Sequence, residues 1–300
     1  MSGPSFGPAW SAGLRRGSRR DLAAWLRFAL RCADAADEIA LRFFREAVAV
    51  RAKPDRSFVT EADLAIERLV RERIAEAFPS HGIVGEEEGD AGGDAAVRWY
   101  LDPIDGTHNF MRGIPLFGTL LALEVDGELQ VGVLSAPGLG SRWYAARGMG
   151  AWAIHRFGPG RARRERIGVS AVADLGAAQL LYRSQADIEA AGVGPGFRSL
   201  VRRAWRDRGF GDFWGYALVA EGAAEAMVEA DLAPWDLAAP TLLVEEAGGR
   251  VTDFGGRRTI HGRTAVASNG LLHEELLRTL TSPMGSPLVR TASDSTTTIG

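Results

Sequence analysis

The chain has 300 residues, a formal net charge of −3, 46% hydrophobic and 24% charged residues, and 37 glycines. That length can bury a substantial core as one large domain or two moderate ones. The composition is that of a turn-rich globular protein, not a fibrous or disordered one, and the slightly negative charge argues against broad binding to nucleic acid.

In chain order, the Gly/Ser/Arg-rich stretch 1–20 reads as a loose tail without the apolar centre of a secretory signal. Residues 21–47 carry apolar side chains at three- and four-residue steps with no proline or glycine, which predicts one long helix packed on the core. Within it lies Cys32, the only cysteine, so an intrachain disulfide and a cysteine-built zinc cage are excluded and a reducing, cytoplasmic setting fits. After the polar turn RAKPDRS, Thr60 followed three residues on by Asp63 predicts a capping box opening a second helix that Pro79 closes.

The next segment, GIVGEEEGDAGGDAAVRWYLDPIDGT, holds two short apolar runs that each end in carboxylates, as strand ends would. Between 116 and 155, apolar segments alternate with Asp126-Gly127, Pro137-Gly138 and Gly148, the pattern of antiparallel strands joined by tight turns. A basic connection, FGPGRARRERIGVS, leads to a boundary near 168–175, dividing an N-terminal half, 21–170, from a C-terminal half, 171–281. The Ser/Thr-rich end, 282–300, reads as a second loose tail. No apolar run is long enough to span a bilayer, so no membrane partner is expected.

Acids at predicted element ends carry the chemistry: Glu86 and Glu87, Asp102 and Asp105, and Asp236, from separate segments. Taken singly, Asp236 could cap a helix, Asp63 could complete its capping box and Glu86–Glu88 could be a solvated loop. The pair in DPIDGT resists that reading, because a turn needs one Asp or Gly but not two acids behind a buried apolar run. Hard oxygen ligands in this number select a hard divalent cation, and Mg²⁺ leaves room for water and substrate phosphate. Pro103 sets the turn so that the two acids can converge. Gly106 and Thr107 then offer N–H groups to an anion if HNFM starts a short helix.

At these residues the sequence resembles the inositol monophosphatase family of Mg²⁺-dependent, lithium-sensitive phosphomonoesterases. GEE at 85–87, DPIDGT at 102–107 and WDLAAPTLLVEEAGG at 235–249 stand in order, and the resemblance runs from about 20 to 280. It implies an α+β fold, the layered α-β-α-β-α sandwich, usually as a homodimer. It also implies that Glu86, Asp102 and the backbone carbonyl of Ile104 hold a first Mg²⁺, and that Asp102, Asp105 and Asp236 hold a second, with two or three ions per site. Asp63 of VTEAD with Thr107 would orient the attacking water, Glu86 belongs to the same catalytic group, and the N–H groups of Gly106 and Thr107 would receive the phosphate. His108 is expected at the rim and not in catalysis. Pro240, read as lying in the first turn of a helix starting near Asp236, is expected to leave the metal site intact.

The stretch RDRGFGDFWGYALVAEG further resembles the branch of the family that acts on histidinol phosphate. Asp212 and Glu229, beside Asp105, are the expected substrate contacts, since acids suit the ammonium that histidinol phosphate carries and inositol lacks. Asp212 as a simple helix cap is the competing reading, with Phe213 and Trp214 as core. The expected partner is a small phosphate ester. Alternatives are an inositol-1-phosphate or general sugar-phosphate phosphatase, a phosphoadenosine phosphatase, which typically needs longer insertions, and a non-catalytic binding module.

Overall fold

The structure, a computed structural model, describes residues 18–46, 50–52, 58–156 and 162–282. Helix α1 spans Arg19–Phe43, capped by Ser18, whose side chain accepts the Asp21 N–H while Asp21 returns the bond. The helix therefore starts two residues inside the expected tail and ends four residues earlier than its apolar pattern suggested, where Phe44 turns extended and Arg45 adopts φ +67°. Part of the expected polar turn is strand: β1, Val50–Ala52, pairs antiparallel with β2, Phe58–Thr60. Helix α2, Glu61–Ala77, opens with the anticipated Thr60–Asp63 capping box. The expected tails fall outside the described residues over 1–17 and 283–300.

An eight-stranded sheet follows, built from β3 (His81–Gly85), β4 (Gly89–Asp90), β5 (Asp94–Asp105), β6 (Gly118–Val125), β7 (Glu128–Ala136), β8 (Ser141–Ala146), β9 (Ala151–His155) and β10 (Arg163–Ile167). The short helix α3, Thr107–Met111, leaves the end of β5. Strand order is β10-β9-β8-β7-β6-β5-β3-β4, antiparallel except for the parallel β3–β5 pair. The basic stretch read as a connection thus supplies β10, an edge strand, where arginines discourage further pairing.

The second sheet contains β11 (Gln179–Tyr182), β12 (Arg206–Arg208), β13 (Ala226–Ala230), β14 (Arg250–Thr252) and β15 (Thr264–Ser268), in the order β12-β11-β13-β15-β14. Its helices are α4 (Gln185–Ala190), α5 (Gly194–Arg203), α6 (Asp212–Ala220), α7 (Pro234–Glu246) and α8 (His273–Thr281). Pro240 is the seventh residue of α7, in the second turn, not the first. Its ring offers no N–H to the carbonyl of Asp236 four residues back, so the helix forgoes one bond at the acid itself.

Side-chain alternation sorts these elements into five layers. Trp99, Leu101, Leu121, Leu123, Val131 and Val133 pack against Phe28, Ala29, Ala36, Ile66 and Val70 of α1 and α2. The opposite face, with Tyr100, Leu120, Ala122 and Leu134, packs on α6 and α7, which also bury Leu181, Met227 and Ala267 of the second sheet. The outer face of that sheet, with Leu180, Val228 and Val266, is covered by Ile188, Phe197 and Leu276 of α4, α5 and α8. The order α-β-α-β-α is the expected sandwich.

One polar clamp fastens α1 to the first sheet. Arg142 on β8 reaches Asp34 and Asp37, each at 2.7 Å, and donates from Nε to Ser135 Oγ at 2.8 Å, while Ser135 donates to Asp37 at 2.8 Å. Burial pushes the Asp37 carboxyl up, and the Arg142 charge works against that. Replacing Arg142 by Met leaves the largely buried Asp37 carboxylate with the Ser135 hydroxyl but without its counter-charge, so Arg142→Met is expected to lower unfolding free energy by about 2 kcal/mol. Urea denaturation reads this as a lower midpoint at unchanged slope; an unchanged midpoint assigns the clamp no role in stability.

Candidate active site

Asp102 and Asp105 are three residues apart, so in a regular strand they would face opposite sides of the sheet. They do not, because β5 is bulged between them: Asp102 pairs with Leu120 and Asp105 with Gly118, so three steps on β5 match two on β6. Pro103 sits in that bulge, where its missing N–H costs no ladder bond, and Thr119 Oγ1 donates to the Pro103 carbonyl at 2.8 Å. Both carboxylates therefore face the α6–α7 layer. Asp102 is buried, and Asp105 is half-buried with Oδ2 accepting the Phe213 N–H at 2.6 Å.

After Asp105 the chain turns through Gly106 at φ +84°, the cap of α3. A Cβ there would lie 2.8 Å from the Leu116 carbonyl, so only glycine serves. Thr107 Oγ1 donates to the Ile104 carbonyl at 2.9 Å, and His108 is exposed at the start of α3.

The remaining acids arrive on other elements. Asp63, in the first turn of α2, is buried and accepts the Thr60 N–H at 2.8 Å as well as the Thr60 hydroxyl. Asp236, in the first turn of α7, accepts the Ala233 N–H at 2.8 Å. Glu86 follows the end of β3, its N–H donating to the Leu101 carbonyl beside Asp102 at 3.2 Å. Glu229 alternates on β13 with Val228 and Ala230, so it faces inward towards α6, with Arg183 Nε at 3.4 Å. Asp212 opens α6 and accepts from Asn109 Nδ2 at 3.4 Å.

These acids act on one another electrostatically. Burial pushes Asp102 well above the usual carboxylate range, and Glu86, Asp105, Asp236 and Asp63 push it further. Asp105 is raised likewise, by burial and then by Asp212, Asp236 and Glu229. Burial lifts Asp63 to about 6, Asp236 to about 7 and Glu229 to about 8, the last despite the opposing Arg183 charge. Asp212 is raised by burial, with Arg183 and His108 opposing. Carboxylates from five elements and from the turn after β3 thus act on one another in one region, with α6 and β13 supplying the flank that holds Asp212 and Glu229.

Among the described residues, no three His, Cys, Asp or Glu side chains close into a ready-made metal-binding group. Three of the acids each accept a backbone N–H: Asp105 from Phe213, Asp236 from Ala233 and Asp63 from Thr60. The donor set nevertheless suits a hard cation, since it is all oxygen and the buried Oδ1 atoms of Asp63 and Asp102 have no hydrogen-bond partner.

Sequence reasoning missed Arg183, which sets charge beside Glu229, and Glu67, which is buried where a helical Glu–Arg pair at i,i+4 reads as solvated. Gly85 was the available signal for Glu67: a Cβ there would lie 2.3 Å from Glu67 Oε1.

Acids gathered at the end of a bulged strand, next to a glycine-capped helix start inside a five-layer sandwich, place the molecule among the phosphoric monoester hydrolases. The family model described as the inositol monophosphatase family matches residues 21–284, and the chain belongs to that family. It is 44% identical to the histidinol-phosphatase of Mycobacterium tuberculosis over 256 residues, 85% of this chain and 97% of that one. Identity to the histidinol-phosphatase of Streptomyces coelicolor is also 44%, over 84% of this chain and 95% of the relative. The fold superposes on an IMPase of Thermotoga maritima with a TM-score of 0.74 at 31% identity, covering 86% and 96% of the two chains.

The raised carboxyls set a pH dependence for the metal-free protein. An acid whose folded pKa lies above its unfolded value holds extra protons when folded, so stability is full below about pH 4 and is lost as pH rises through the folded values. With those at about 6, 7 and 8 for Asp63, Asp236 and Glu229, the melting temperature in EDTA is expected to fall between about pH 6.5 and 8, above the range in which buried His273, lowered to about 4, works in the other direction. Adding Mg²⁺ at pH 8 is expected to restore it. Thermal scans across pH check this; a flat profile in EDTA over that range means burial does not raise these acids.

Proposed function

We propose that the chain hydrolyses histidinol phosphate, with Mg²⁺ held by Glu86, Asp102, the Ile104 carbonyl, Asp105 and Asp236. When bound there, Mg²⁺ would supply the positive charge that neutralises phosphate oxygens and would lower the pKa of a water so that it can lose a proton and serve as the nucleophile. Asp63, anchored by Thr60, and Thr107, anchored on the Ile104 carbonyl, orient that water. The N–H groups at Gly106 and Thr107 receive the phosphate, and positioning with charge neutralisation supplies most of the catalysis. A cytoplasmic homodimer inhibited by lithium belongs to the same reading.

The observation that carries the choice of ester is the acidic flank. Asp212 and Glu229 both act on Asp105 across the α6–β13 side, where the leaving group would sit. Burial raises both even though Arg183 lies 3.4 Å from Glu229 and opposes the rise in each, so a further cation brought alongside is still favourable. The ammonium of histidinol offers one, and a neutral polyol does not. The two 44% relatives named histidinol-phosphatase support this reading over inositol-1-phosphate or a general sugar phosphate.

Asp105→Asn is expected to abolish Mg²⁺-dependent phosphatase activity while leaving the metal-free protein as stable as before or more so, because one repelling charge is gone. Turnover near wild type removes Asp105 from the mechanism. Asp212→Asn, which removes the charge and tolerates the same backbone, is expected to cut kcat/KM for histidinol phosphate by about 10–100-fold, the worth of a charged hydrogen bond, and to spare inositol-1-phosphate. Steady-state kinetics on both esters, with fructose-1,6-bisphosphate and phosphoadenosine phosphate alongside, decide; equal losses on all assign Asp212 a structural role, and a wild-type preference for inositol-1-phosphate reverses the choice of ester.

A further inference from the structure

Glu67 is fully buried and has no part in the chemistry above. It lies one helical turn after Asp63, so the two carboxylates share a face of α2. Its Oε2 accepts the Glu87 N–H at 2.9 Å and its Oε1 accepts the Glu88 N–H at 2.9 Å. Arg71, a further turn along, donates to the same Oε1 from Nε at 2.9 Å and Nη2 at 2.8 Å, and its Nη2 also donates to the Gly89 carbonyl at 2.5 Å. The turn between β3 and β4 is thus bolted to α2 through three consecutive residues, 87 to 89.

Glu86 is the residue just before the bolted three. Its own N–H is bound on the other side, to the Leu101 carbonyl that precedes Asp102. Its backbone is therefore fixed between β5 and α2, the elements that carry Asp102 and Asp63. Gly85 completes the arrangement, since any larger residue would drive a Cβ into the Glu67 carboxylate. A turn of exposed or half-exposed acids does not by itself call for a buried ion pair, whose desolvation is costly. The cost is understandable where a ligand must be held to a fraction of an ångström.

We infer that Glu67, clamped by Arg71, is a positioning residue that fixes the Glu86 carboxylate for metal binding. This rests on the reading of Glu86 as a Mg²⁺ ligand. Gln at 67 is isosteric, but its amide must turn N–H groups towards the N–H donors of Glu87, Glu88 or Arg71, so the turn is released. Gly85→Ala strains the same contact from the loop side. Arg71→Lys keeps the charge and loses the two-pronged grip.

The test is calorimetric titration of the full chain with Mg²⁺ alone, without substrate, on variants whose metal-free circular dichroism matches wild type. Loss of an outer-shell partner typically weakens metal affinity 10–100-fold, so Glu67→Gln and Gly85→Ala are expected to raise the Mg²⁺ dissociation constant by about tenfold or more, and Arg71→Lys by less. Glu86→Gln is run beside them. If Glu86→Gln binds Mg²⁺ as wild type does, the metal reading of Glu86 falls and this inference with it. If Glu86→Gln weakens binding while the folded variants at 67, 85 and 71 keep wild-type affinity, only the positioning role is overturned. Should Glu67→Gln fail to fold, the affinities of Gly85→Ala and Arg71→Lys decide alone.

Discussion

Repulsion between carboxylates in a poorly solvated space is the constraint around which this molecule is arranged. Asp102 feels Glu86, Asp105, Asp236 and Asp63, and Asp105 feels Asp212, Asp236 and Glu229. Strand β5 needs a bulge to turn even two of them to one side, and the others come from other elements. The fold spreads the burden: each acid stands at the start of a helix or the end of a strand whose apolar face is buried elsewhere. The three apolar clusters between the layers supply the favourable free energy, and the site draws on it.

The layers also supply the counter-charge that repulsion demands. Helices α6 and α7 start where β5 ends, so their N-termini, with partial positive charge and unsatisfied N–H groups, meet the acids. The Phe213 N–H on Asp105 and the Ala233 N–H on Asp236 are those groups in use. Arg183 works at the α6–β13 flank, next to Glu229, and its Nη2 donates to the Ala230 carbonyl at 2.9 Å. The scaffold therefore tolerates the acids while leaving oxygens on Asp63 and Asp102 without a hydrogen bond.

Much of this was legible because it is local. The Thr60–Asp63 box, the strand ending at DPIDGT, the short helix after Gly106 and the hairpins from 118 to 155 are all written in turn chemistry and apolar spacing. What was not legible depends on partners distant in sequence. Pro103 hinted at a turn, but that it marks a bulge which returns Asp105 to the face of Asp102 depends on the pairing with β6. Glu67 and Arg71 have the spacing of a solvent-exposed pair, and only the turn at 87–89 lying over them makes the pair buried. Pro240 was placed a turn too early because the helix start at Pro234 carries no polar cap to betray it.

Asp212 shows how the local and the distant combine. It is one of five described non-glycine residues with positive φ, at +56°, and an aspartate pays less there than most residues. The strain has a use, since a backbone in that conformation at the first position of α6 accompanies the Phe213 N–H meeting Asp105. Just before it, Gly211 passes so near Arg183 that a Cβ would lie 2.6 Å from that residue's Cα. A glycine or asparagine at 212 would hold the same backbone at equal or lower cost. The choice of an acid in that place, beside Asp105 and opposed by Arg183, is therefore a choice about charge, and the proposed preference for a phosphate ester that carries a cation rests on it.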